Sequence, residues 1–200
     1  HFLQKLATQD WVKEIVIVSH SLGARLVIPA VEYVDRSSSN ADSSNISNII
    51  LASPDVDRQD FERDIIEEVL SARRVNNDRR ITVYASVKDK ALALSRSLHG
   101  YPRLGSPYCF DPFEAARLKA AGHPERCYAA KGRYTQEPAK SGFTIVDTSD
   151  VSNSSSGHSD YLRSPAACRD FAATVGGARD NLSGRTATHL AHVFALRVDT

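Results

Sequence analysis

Three side chains far apart in this chain have the types that nucleophilic catalysis needs: Ser21, Asp89 and His158. A serine hydroxyl is a poor nucleophile near neutral pH and requires a base to take its proton as it attacks. An imidazole, with an ordinary pKa of roughly 6.5, can accept that proton and return it to a leaving group. A carboxylate on the other ring nitrogen fixes the tautomer and stabilises the imidazolium. Serine, then acid, then histidine is also one of the chain orders in which such sets occur. The backbone N–H of Leu22, directly after the serine, is the expected first donor to an oxyanion. It opens a helix, whose dipole favours negative charge. A second donor is expected from a loop after an earlier strand, ahead of His1.

Each residue has a competing use. Asp89 can cap the helix that follows it, and His158 can be a solvated loop histidine. Asp55 and Asp57 also follow a strand and rival Asp89 as the acid, although turn capping explains them equally well. His20 is expected to pack beneath Ser21 or to shape a pocket rather than act as base. A metal site would draw on Asp55, Asp57, His99 and His158, which have no recognised ligand spacing. No metal and no other cofactor is therefore expected.

The elements that must position these residues are strands and the turns at their ends. Residues 14–18, with a β-branched apolar run over 15–18, show no alternation, as in a strand buried on both faces. Ser19-His20-Ser21-Leu22-Gly23 follows, a G-x-S-x-G turn with serine at its first position. Both flanks of such a turn must be small. Residues 22–33 then read as a helix with Leu26, Val27, Ala30 and Val34 toward the sheet, kinked or shortened at Pro29. Further strands are expected at 48–52, 81–86 and 143–146, and further helices at 60–73, 91–98, 111–122 and 164–173. Ser21, Asp89 and His158 thus follow the first, third and fourth strands. Alternation of strand and helix implies an α/β fold with a mostly parallel sheet, which gathers the strand ends at one edge.

Residues 36–45 and 152–159 are polar, serine-rich loops. Residues 101–141 are irregular and proline-rich, either a candidate cap or a surface excursion. The domain is expected over 1–170, with 171–200 a C-terminal tail of uncertain structure. The 200 residues are 42% hydrophobic and 24% charged, with a net charge of +1. That balance suits a globular domain and gives no reason to expect nucleic acid as a partner. Of the three cysteines, Cys109 and Cys127 suit a disulfide in an oxidising compartment, but free buried thiols are the expectation.

Four blocks carry a resemblance: VIVSHSLGARLV (16–27), NIILASPDVDRQDFERDI (48–65), ITVYASVKDKALALSRSLHG (81–100), and FTIVDTSDVS with GHSDYLRSP (143–165). In wording and order they resemble a bacterial α/β-hydrolase family catalogued as domain of unknown function 900, within the esterase/lipase superfamily. The resemblance implies an α/β-hydrolase fold and a triad of Ser21, Asp89 and His158. It also implies a small-molecule or lipid-like ester as substrate. An inactive binding or scaffold protein, or an acyltransferase with the same triad, are the alternatives. The family's domain begins with earlier strands, so this chain is expected to be its C-terminal part. An exposed edge on the first strand would then leave the piece inactive or insoluble.

Overall fold

The apolar runs become a single sheet in the computed structural model, which describes residues 2–7, 9–37, 45–66, 79–130, 142–178, 182 and 184–197. Its strands are β1 (Ile15–His20), β2 (Ile46–Ala52), β3 (Arg80–Ala85), β4 (Phe143–Asp147), β5 (Arg185–Ala187) and β6 (Val193–Leu196). Their order is β1-β2-β3-β4-β6-β5, all pairs parallel except β5 against β6. Among the described residues the sheet therefore has six strands, not the four expected. The two additions lie in 171–200, where short segments gain strand character only from pairing, as when Val193 lies beside Ile145 of β4.

Helices α1 (Phe2–Ala7), α2 (Ala24–Ser37), α3 (Arg58–Asp60), α4 (Lys90–His99), α5 (Pro112–Ala120), α6 (Asp160–Arg163) and α7 (Pro165–Val175) complete the described elements. A π-helical turn, Phe61–Ile65, continues α3, and the remainder of the helix expected over 60–73 lies outside the described residues. Side chains alternate across each strand, so Ile49 and Leu51 face α2 and Phe61, while Ile50 and Ala52 face Tyr161 and Ala167.

Two expectations about burial change. The buried face of α2 is Ala24, Ile28, Val31 and Val34, whereas Leu26 is exposed. A 3₁₀ turn over Ser21–Gly23 precedes the α-helix and shifts its phase, and the helix runs on through an exposed Pro29. Burial on both faces holds for β2, β3 and β4. It fails for β1, an edge strand with Val18 exposed.

Residues 102–107 lie buried across the C-terminal ends of β2 and β3. Arg58 N donates to Pro102 O, Leu104 N to Val56 O, Gly105 N to Pro54 O and Ser86 N to Gly105 O, all at 2.9–3.0 Å. A Cβ on Gly105 would lie 2.6 Å from Pro54 N, so only glycine fits this crossing. Just beyond, Tyr108 bridges Arg126 in antiparallel fashion and brings the Cα atoms of Cys109 and Cys127 to 4.8 Å. The two cysteines form a disulfide, against the expectation of free thiols, and Cys168 is free and exposed. The bridge spans a sequence separation of 18, and a loop of that length restricts the unfolded chain by about 3 kcal/mol. Replacing both cysteines by alanine is expected to lower stability by about that amount, measured as a reduced urea midpoint, with the m-value rising as the unfolded chain becomes less compact.

Candidate active site

The serine turn is built from backbone strain and small neighbours. Ser21 has φ 55°, one of two non-glycine residues with positive φ among the described residues. That conformation is sparsely populated by residues with a Cβ and persists only where surrounding structure enforces it. Here Asp55 N, at the end of β2, donates to Ser21 O at 3.1 Å. A Cβ built on Gly23 would meet Ser19 Cβ at 3.7 Å, ordinary van der Waals distance. Even a methyl group at position 23 would clear Ser19, so the space between the flanks admits a serine where the usual turn has glycine. The Ser19 hydroxyl is buried and makes no hydrogen bond.

Asp89 follows β3 and is fully buried. Its Oδ1 accepts from Leu92 N at 2.9 Å and caps α4, while its Oδ2 accepts from His158 Nδ1 at 2.8 Å. The helix cap and the contact to His158 thus coexist, one per oxygen. The loop bearing His158 is fastened to the same turn. Lys90 N donates to Ser156 O at 2.8 Å. Gly157, at φ 71°, lies so close that a Cβ would sit 2.4 Å from Lys88 O. His20 Nε2 donates to His158 O at 3.0 Å, and the two rings are 4.5 Å apart. His20 thus supports His158, and its ring also lies against Tyr161.

The hydrogen bond to Asp89 raises the His158 pKa above the ordinary value; burial opposes this, and the charges of Asp89 and Asp55 add to it. Among the described residues neither the Ser21 hydroxyl nor His158 Nε2 is engaged in a hydrogen bond. Leu22, whose N–H is the candidate oxyanion donor, is exposed at the start of the 3₁₀ turn.

The rival acids are occupied elsewhere. Asp57 Oδ1 caps α3 through Gln59 N at 2.8 Å. Asp55 is buried, accepts from Ser95 Oγ at 2.8 Å and pairs with Arg103 and Arg25. His99 Nδ1 donates to Ser95 O at 2.8 Å. Among the described residues, no three His, Cys, Asp or Glu side chains are placed to hold a metal ion.

Residues not singled out in the sequence also shape the acid turn. Asp147, the last residue of β4, accepts from Ser149 N at 2.8 Å, from the Ser149 hydroxyl, from Arg126 Nη1 at 2.7 Å and from Tyr128 OH. Ser149 Oγ accepts from Val87 N at 3.0 Å, two residues before Asp89. Burial and the Asp147 carboxylate push the Tyr128 phenol up. The Asp-Thr-Ser-Asp run after a strand is a signal for such side-chain-to-backbone turns.

A mostly parallel sheet covered on both faces by helices, with these turns at its C-terminal edge, defines an α/β-hydrolase fold. The chain belongs to the family of α/β-hydrolases of unknown function designated DUF900, whose model matches residues 1–179. No curated protein and no solved structure matches it.

Gly157→Ala is expected to be destabilising by about 1–3 kcal/mol, since it strains φ and presses on the Lys88 backbone. Urea melts should show the loss, and the imidazole NMR signal of His158 should shift as its Asp89 contact loosens.

Proposed function

We propose that the protein is a serine hydrolase that cleaves carboxylic esters through an acyl-enzyme. The observation that carries this reading is the 2.8 Å contact between His158 Nδ1 and buried Asp89, at the sheet edge that also bears strained Ser21. Membership of an α/β-hydrolase family supports it.

In this mechanism Ser21 Oγ attacks the ester carbonyl carbon as His158 Nε2 takes the hydroxyl proton. The carbonyl oxygen becomes an oxyanion facing the Leu22 N–H. Collapse breaks the bond to the alcohol oxygen, which leaves with the proton from His158. Water then attacks the acyl-serine by the same route, and the acid departs. Asp89 holds the imidazole with its Nδ1 protonated and stabilises the imidazolium at each step.

Two measurements test these roles. Ser21→Ala is expected to abolish fluorophosphonate labelling and lower ester turnover by about a thousandfold or more; labelling that persists contradicts the assignment. The second concerns pH. His158 acts as base only when neutral, and its pKa is raised. The acidic limb of kcat/KM should therefore have its midpoint above the ordinary imidazole value, with activity rising as pH increases through it. Asp89→Asn keeps an amide able to cap α4 but removes the charge beside the ring. Its midpoint should move down and its rate should fall by about a hundredfold or more. An unmoved midpoint would remove Asp89 from this role.

A further inference from the structure

We infer that Arg25 and Arg103 form a subsite beside Ser21 for an anionic group, a carboxylate or phosphate, carried by the ester. The inference rests on the serine-hydrolase reading above and specifies its substrate class.

Both guanidinium groups converge on Asp55. Arg25 Nε donates to Asp55 O at 2.8 Å, and its Nη2 lies 3.5 Å from Asp55 Oδ2. Arg103 Nε lies 3.2 Å from Asp55 Oδ1, which also accepts from Ser95 Oγ at 2.8 Å. One carboxylate thus faces two cations. Asp57 meets Arg103 only through backbone pairing, and its side chain caps α3. The cluster therefore keeps one positive charge in excess.

The second observation is the state of Arg103. Its side chain is 4% exposed; buried Nε is engaged in the ion pair with Asp55, and among the described residues buried Nη2 has no hydrogen-bond partner. Buried polar nitrogens nearly always have partners, and the exceptions gather at functional sites. Arg103 is held in place by Leu104 and Gly105, whose N–H groups bond to Val56 O and Pro54 O. Its Nη2 is thus fixed in position but is not spent on the protein. A planar guanidinium matches the two oxygens of a carboxylate or phosphate, and poor solvation strengthens the contact.

Position links the cluster to the chemistry. Asp55 N donates to Ser21 O, so the ion cluster is one backbone hydrogen bond from the serine. Arg25 lies in the first turn of α2, directly after the 3₁₀ turn that begins at Ser21. Arg25 is 44% exposed and open to a ligand. An ester with its negative charge a few bonds from the scissile carbonyl could engage both.

The test compares p-nitrophenyl hemisuccinate, hemiglutarate and hemiadipate with their neutral methyl-ester counterparts. The readout is the anionic-to-neutral ratio of kcat/KM. The ratio is expected to exceed unity by about tenfold for the best spacing and to collapse in Arg25→Gln. Arg25 is exposed, so this variant probes the subsite without the folding risk of changing buried Arg103. A ratio near unity in the unaltered protein, or one retained in Arg25→Gln, overturns the inference. So does a preference for neutral esters on the exposed Leu22 and Leu26 side chains. If no ester is turned over and fluorophosphonate does not label Ser21, the hydrolase reading fails. The subsite is then judged by calorimetry with glutarate and inorganic phosphate. Binding that Arg25→Gln removes upholds it, and absence of binding overturns it.

Discussion

The buried carboxylate of Asp89 is the interaction on which the arrangement of the edge depends. An ionised carboxylate withdrawn from water is costly unless its oxygens are used. Asp89 divides them between the first turn of α4 and the imidazole of His158. The same side chain therefore starts a helix and fixes a ring from 69 residues later in the chain. Neither partner could be moved without leaving a buried oxygen unsatisfied.

Around that carboxylate, close backbone approaches do the positioning. Gly157 lets the histidine loop lie against Lys88, and Gly105 lets the segment 102–107 lie against Pro54. Both contacts lie where a methyl group would collide with backbone, which cannot yield as a flexible side chain can. Ser21 occupies a strained conformation that its hydrogen bond from Asp55 N helps to hold. The cost of that conformation must be offset by packing, and Ala24 directly after the turn is completely buried.

Buried acids at three strand ends organise the edge by one physical rule. Asp55, Asp89 and Asp147 are each more than nine-tenths buried and each meets several donors. Asp55 joins α2, α4 and the 102–107 segment, while Asp147 joins β4 to Arg126 and Tyr128. Low-dielectric surroundings make each satisfied contact strong and each lost one expensive. The region expected to be either a cap or a surface excursion is thus tied, over its described residues, to the same edge as the serine turn.

The sequence by itself determined the four principal strands, the serine turn and the chain order of Ser21, Asp89 and His158. These depend on local patterns: β-branched runs, small residues around a serine, and polar residues at strand ends. It also offered both uses of Asp89 without showing that they are compatible. Only the tertiary structure decided the rest. β5 and β6 are too short to announce themselves and exist through pairing with each other and with β4. The phase of α2 depended on a 3₁₀ turn. The Cys109–Cys127 bridge required a cross-chain pairing between Tyr108 and Arg126. The gathering of Arg25 and Arg103 on Asp55 required three segments to meet in space. Local propensity acts over a few residues, whereas charge pairing and backbone approach depend on distances that only the folded chain sets.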